Sequence, residues 1–264
     1  MGNLSLGVLS FVLFLIGGSS RKRYLWLETI VRFLPYLLLL STIAHAFQYG
    51  LRWYIAGRLP LSNGYETMQF LALCVMCFSL LFCRWWRNVV TFGFLMSGFA
   101  LLVSYLGQMN PQITPLMPVL NSPWLSFHVS FVMMSYALFA FLFLNSLTAL
   151  ALIWKVGMNE QVTSLTLTNR LLLYPAMLLL GIGIALGSVW ANESWGCFWG
   201  WDPKEVWALI SFLVYGAAIV FRDLYFFSKE KSFHCYLVIA FLSILMTYFG
   251  VNYFFGGLHS YANA

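Results

Sequence analysis

The sequence predicts an all-α fold: a polytopic membrane helix bundle of about eight transmembrane helices, with both termini on the outer (periplasmic) side. Three observations carry that prediction. Of 264 residues, 61% are hydrophobic and only 8% are charged, against about 25% charged in soluble domains, and the mean hydropathy is +0.82. Apolar runs of spanning length, about 20 residues, recur along the whole chain. The cations between those runs are unevenly placed. Aromatic residues make up 19% of the chain, which excludes a disordered composition. No stretch is polar enough for a separate globular domain, so residues 1–264 read as a single integral-membrane domain.

In order, the apolar runs fall near 4–20, 30–50, 65–83, 88–107, 124–154, 170–190, 204–227 and 233–256. The first has no basic residue before it, and Arg21-Lys22-Arg23 follows directly. A secretory signal has the opposite charge order, so this run is read as the first helix with its N-terminus outside. Alternation from there puts Arg21, Lys22, Arg23, Arg32, Arg84, Arg87, Lys155, Arg170, Arg222, Lys229 and Lys231 inside. Only Arg52, Arg58 and Lys204 fall outside, a positive-inside distribution. The formal net charge of +6 is thus an orientation marker in a lipid bilayer, not a surface for nucleic acid. The run at 124–154 exceeds what a bilayer needs and is expected to tilt or project. The outer side receives the Trp- and Pro-rich stretches 50–65, 107–123 and 190–204 and the tail 257–264, whereas the inner loops are short and basic. Chemistry is expected at the outer face.

Cys74, Cys77, Cys83 and Cys235 fall in spans or at their inner ends, and Cys197 lies outside. Cys74-x-x-Cys77 shares one helix face but has no partnering cluster, so both read as small buried hydrophobes. Cys197 receives no role. Gly181, Gly183 and Gly187 in the sixth run allow neighbouring helices to approach closely.

The densest constellation is Trp190-Ala-Asn-Glu-Ser-Trp195-Gly-Cys-Phe-Trp199-Gly-Trp201-Asp202-Pro203-Lys204-Glu205, an external loop over 190–205. Asp202 can N-cap the next helix, Pro203 fits its first position, and Glu205 can close a capping box. An interfacial aromatic belt accounts for one or two Trp at a helix end. Four Trp in twelve residues, separated by glycines, suit a flat platform for a large planar ligand. On pattern alone, ligand binding and aromatic anchoring both stay open.

His128 lies about one turn inside the fifth span, because Asn121-Ser-Pro123-Trp124 signals a helix start. His259 follows Gly256-Gly257 beyond the eighth span. Two neutral imidazoles at the level of the Trp residues could clamp a haem iron from both faces, so His128 and His259 are the candidate metal ligands. His45, one to two turns below the outer end of the second span, is a buried ionisable group and a functional candidate. His234, at the inner end of the eighth, is accounted for by packing or snorkelling. Arg52, Arg58 and Lys204 suit carboxylates such as haem propionates, with ordinary solvation as the alternative. The candidate cofactor-binding residues are therefore Trp195, Trp199, Trp201, Asp202, Arg52, Arg58, Lys204 and His45. No catalytic side chain is assigned.

The stretch Trp195 to Glu205 resembles the tryptophan-rich WWD signature of the haem-handling cytochrome c biogenesis proteins CcsA (or ResC), CcmC and CcmF. Arg52-Trp-Tyr-Ile-Ala-Gly-Arg-Leu-Pro60-Leu-Ser-Asn-Gly-Tyr-Glu66, Ser122-Pro-Trp-Leu-Ser-Phe-His128, and Tyr248-Phe-Gly-Val-Asn252 running on to Gly257-Leu-His-Ser-Tyr261 are similar to CcsA in particular. The resemblance covers the chain from about residue 45 to its end. It implies the System II pathway, in which CcsA works with a CcsB/ResB-like membrane protein. The pair conveys haem b across the membrane and presents it for covalent attachment to the Cys-x-x-Cys-His motif of apocytochrome c. It also implies that His128 and His259 are the family's two external haem ligands, that the chain is part of a holocytochrome c synthase (haem lyase type), and that it resides in a bacterial inner (cytoplasmic) membrane rather than a thylakoid. Family members usually carry a further histidine on the seventh helix, where this chain has Val220. Either the inner haem site is missing here, or His234 or the partner replaces it. A CcmC-like haem exporter or chaperone, and a non-haem transporter or scaffold with the Trp loop as anchor, are the alternatives.

Overall fold

The computed structural model describes residues 2–19, 25–86, 89–106, 111–113 and 120–255. Among the described residues every regular element is helical. Among the described residues, six helices are long and apolar enough to cross a membrane: Gly64–Phe82, Val89–Leu106, Pro123–Val156, Glu160–Trp195, Pro203–Val220 and the continuous stretch Glu230–Phe254. Together with the cation pattern, this is a multi-pass membrane protein. Its chain divides into two compact units, Met1–Pro115 and Leu116–Ala264.

The first unit holds α1 (Gly2–Ser19), α2 (Leu25–Ala56), α3 (Gly64–Phe82) and α4 (Val89–Leu106). Helix α2 outruns the expected 30–50, accommodating Pro35 internally and placing Arg52 on its last turns. Gly57, at φ 65°, ends it in a left-handed conformation that a side chain resists. Asn63 then caps α3 by accepting from the Glu66 backbone N–H at 2.8 Å. Polar side chains tie the helices where lipid offers no alternative partner. Asn3 of α1 donates to Ser97 of α4 at 3.2 Å and accepts from Ser41 of α2 at 2.7 Å.

The second unit holds α5 (Pro123–Val156), α6 (Glu160–Trp195), α7 (Pro203–Val220), the short α8 (Tyr225–Ser228), α9 (Glu230–Leu245), a π-helical turn (Met246–Gly250) and α10 (Val251–Phe254). The expected inner loop between residues 154 and 170 is instead a tight connection. Gly157, at φ 85°, closes α5, and Asn159 caps α6 by accepting from the Val162 N–H at 3.0 Å. The polar run from Glu160 to Asn169 is helical because its hydroxyls bond back into the helix, as Thr166 does to Val162 O at 2.9 Å and Thr168 to Ser164 O at 2.9 Å. Arg170, expected in a loop, lies within α6 and donates to Phe227 O at 2.8 Å. Helix α6 also runs on through Trp195, so the loop proper is 196–202 rather than 190–205. Helix α7 ends at Val220, not 227.

Helix α7 buries only the narrow stripe Ser211, Tyr215 and Ala218, spaced as one helix face. Tyr215 stacks on Phe139 of α5 at 3.9 Å between ring centroids, and Phe143 of α5 stacks on Phe241 of α9 at 4.5 Å. Leu213, Leu171, Leu178 and Ile239 point outward, as lipid-facing side chains do.

Candidate functional site

Three helix ends meet at one end of the second unit. At the start of α5, Ser122 donates to Glu193 on the last turn of α6 at 3.0 Å. Between one and two turns in, His128 Nδ1 donates to the Gly183 carbonyl of α6 at 2.7 Å. A carbonyl only accepts, so Nδ1 carries the proton and Nε2 is the ring nitrogen left with ligand capacity. Backbone-oriented imidazoles of this kind are how proteins fix the tautomer of a metal ligand. The approach needs missing side chains. A Cβ at Gly187 would lie 2.6 Å from His128 Nδ1, and one at Gly183 would lie 2.7 Å from Val132 Cγ2. The close approach expected of Gly183 and Gly187 is present, and what it admits is the ring of His128. Gly181 faces Phe212 of α7.

The tryptophans do not lie flat in one plane, contrary to the platform expected from their spacing. Trp190 is 1% exposed and meets Trp195 edge-on at 4.8 Å. Trp199 and Trp201 form a second edge-on pair at 6.0 Å and 89°. Gly196, at φ 77°, ends α6 by donating to Asn192 O at 2.9 Å. Trp201 has φ 57° and is 73% exposed. Asp202 is buried and caps α7, accepting from the Lys204 N–H at 3.1 Å in a closed capping box with Glu205. Its carboxylate serves the helix end. Lys204, in the first turn of α7, carries its charge within electrostatic range of His128.

In the first unit, Arg52 and Arg58 converge on Glu66, which is 0% exposed. Arg52 Nε and Nη2 donate to Glu66 Oε1 at 3.1 and 3.0 Å, and Arg58 Nη1 donates to Oε2 at 3.0 Å. The Ser62 N–H adds a bond at 2.9 Å, and Arg52 also reaches Pro111 O at 2.7 Å. Both expected carboxylate-binding arginines therefore have an internal carboxylate, and Glu66 is the residue sequence reasoning passed over. In the same unit His45 is buried and its Nε2 donates to Gln69 O at 3.0 Å.

His234 is 0% exposed. Its Nε2 lies 2.9 Å from Thr166 Oγ1, and its Nδ1 lies 3.1 Å from Ser146 Oγ. Asn169 donates to Ser146 Oγ at 2.8 Å, and Asn145 donates to Asn169 Oδ1 at 2.7 Å. Both ring nitrogens are occupied by a hydrogen-bond cluster joining α5, α6 and α9, so His234 is not positioned as an iron ligand. Val220, where relatives were expected to carry histidine, is 75% exposed at the end of α7. His259 lies outside the described residues, as do Arg21, Lys22, Arg23 and Arg87. Among the described residues no group of three or more His, Cys, Asp or Glu gathers as a metal site. Cys74, Cys77 and Cys197 are free thiols, the first buried.

Residues 61–259 match the family model described as cytochrome C assembly protein. The chain is 41% identical over 224 residues to the protein NrfI of Wolinella succinogenes, covering 83% of this chain and 25% of that one. It is 33% identical to the cytochrome c biogenesis protein CcsA of Guillardia theta over 84% of this chain and 83% of the relative. CcsA of Synechococcus sp. (strain CC9902) is 32% identical over 97% of this chain and 95% of its own length. The chain thus spans about a quarter of NrfI and most of these CcsA proteins.

Proposed function

The chain belongs to the cytochrome C assembly protein family, and from that premise we propose that it is a CcsA-type subunit that binds haem at the outer membrane face and presents it to apocytochrome c. Haem is its substrate. The observation that carries the reading is the His128 ring, held by its Nδ1–H on Gly183 O at 2.7 Å, with Nε2 left to ligate iron. His259 supplies the second ligand in this reading. Phe198 and Trp201, both exposed, offer aromatic edges and faces to the porphyrin, and Lys204 offers a cation to a propionate. In the first unit, Arg52 and Arg58 against Glu66 leave one net positive charge, which suits an anionic group.

The covalent step needs no acid–base pair from this chain. Each apocytochrome thiol adds across a haem vinyl group, sulfur to one carbon and the thiol hydrogen to the other, so the addition is redox-neutral. This chain's contribution is orientation, with the reactivity residing in the haem. A CcsB-like partner, a Cys-x-x-Cys-His acceptor and a bacterial inner membrane complete the proposal.

The test is purification of the full chain with a CcsB-like partner co-expressed, followed by haem absorption spectra of wild type, His128→Ala and His259→Ala. Wild type is expected to carry low-spin haem, and each variant to lose or shift its bands. Absence of haem in the wild type sinks the proposal. A Cys-x-x-Cys-His reporter separates synthase from exporter: covalent haem on the reporter is expected, and its absence with haem still bound favours the exporter.

A further inference from the structure

Trp201 is, among the described residues, the one non-glycine residue with a positive φ, at 57°. Bulky L residues rarely adopt that conformation, and those that do are held there by their surroundings. Packing does not hold Trp201, since its side chain is 73% exposed and its ring contact to Trp199 is edge-on. The brace is Glu205. Its Oε2 accepts from Gly200 N–H at 2.8 Å and from Asp202 N–H at 3.1 Å. These are the residues immediately before and after Trp201, so one carboxylate oxygen spans the strained position. A capping box requires only the bond to Asp202. The bond to Gly200 is additional, and it converts a helix cap into a clamp on the loop.

We propose that Glu205 is the positioning residue of the Trp loop: its carboxylate oxygen holds Trp201 left-handed so that the indole projects to meet a planar aromatic ligand. The identity of that ligand as haem rests on the proposed function. The bracing of the loop does not. The role is one of acceptance, not charge. A glutamine at 205 can present its amide oxygen to the same two N–H groups, whereas alanine removes the acceptor.

The experiment uses the full chain in detergent, titrated with dithionite-reduced haem and read at the Soret band, in wild type, Glu205→Ala, Glu205→Gln, Trp201→Ala and the Glu205→Ala/Trp201→Ala double variant. In parallel, haem-free samples are digested with chymotrypsin, and cleavage after Trp199 and Trp201 is followed by mass spectrometry. Glu205→Ala is expected to weaken haem binding by about tenfold, as the loss of a hydrogen-bond acceptor for two backbone N–H groups would. Trp201→Ala should weaken it similarly, and the double variant should be no weaker than either single one. Glu205→Gln should stay near wild type, and haem-free cleavage should accelerate only in Glu205→Ala. Wild-type cleavage in Glu205→Ala overturns the proposal, as do losses that multiply in the double variant. Failure of Glu205→Gln alongside Glu205→Ala also overturns it, because charge would then be the cause. If wild type takes no haem, the proposed function fails, while the cleavage comparison still decides the brace.

Discussion

Alanine at position 187 would displace the ring proposed to ligate iron without touching any ligand atom. A Cβ there falls 2.6 Å from His128 Nδ1 and 2.7 Å from Cε1, roughly 1 Å inside the separation at which such atoms rest. The ring must withdraw by about that much, and its 2.7 Å bond to Gly183 O does not survive a stretch beyond hydrogen-bond range. The lost bond costs about 1 kcal/mol and the overpacking about 1–3 kcal/mol. Alanine's better helix propensity offsets about 1 kcal/mol of this. The fold should therefore persist with a modestly lower unfolding midpoint. Haem binding should fall further, by about tenfold or more, because a freed imidazole no longer presents Nε2 in one direction. The assay pairs haem titration with thermal unfolding, using Gly181→Ala as the control, since its Cβ meets Phe212 at 3.2 Å and not the histidine. A Gly187→Ala protein with wild-type affinity and an unchanged Soret band would refute the reasoning. So would equal haem loss in Gly181→Ala.

Other outcomes follow from the same structure. Glu66→Ala leaves Arg52 and Arg58 facing each other without their shared carboxylate, and should cost about 3–5 kcal/mol, the usual penalty for breaking a buried ion pair. Membrane abundance and the thermal midpoint measure it, and stability equal to wild type would count against the cluster. His234→Leu should lower the thermal midpoint through the lost hydrogen bonds to Thr166 and Ser146, by about 1–3 kcal/mol, while leaving the haem spectrum unchanged. A shifted Soret band in that variant would show His234 to be a ligand after all. Asn169→Leu, which removes the donor to Ser146 and the acceptor for Asn145, should match His234→Leu in stability, and the two together should be less than additive.

Much of the bundle is legible in hydropathy, because runs that must face lipid are apolar whatever their packing. The ends of α6 were not. Glu160 to Asn169 scores as a polar loop, yet its threonines satisfy themselves on their own helix, and its Asn169 is consumed by the cluster with His234. That accounting depends on neighbours from α5 and α9, which no local window contains. At the site, Asp202-Pro203-Lys204-Glu205 announces its cap, and the cap is present. Pairing of Glu66 with cations 14 and 8 positions earlier depends on the turn after Gly57, and so was missed. Nothing in a Trp-rich pattern signals that one indole will sit at positive φ. The glycine spacing at 183 and 187 indicates a close approach, but only the fold says which ring it receives.

The π-helical turn at Met246–Gly250 has its own consequence. Val251 donates to Met246 O, five residues back, so the turn holds one residue more than an α-helix would fit. Each α-helical residue advances the direction of its side chain by about 100°, and the extra one sets the phase of everything beyond it. Val251 is thereby buried, and Asn252 Nδ2 donates to Tyr248 O at 2.6 Å. Deleting a single residue within the turn would let the helix relax to regular winding and swing Val251 and Asn252 to a different azimuth. The His234 cluster, which lies before the turn, would keep its register. The last helix thus has a joint, and Val251–Phe254 take their bearing from that one surplus residue.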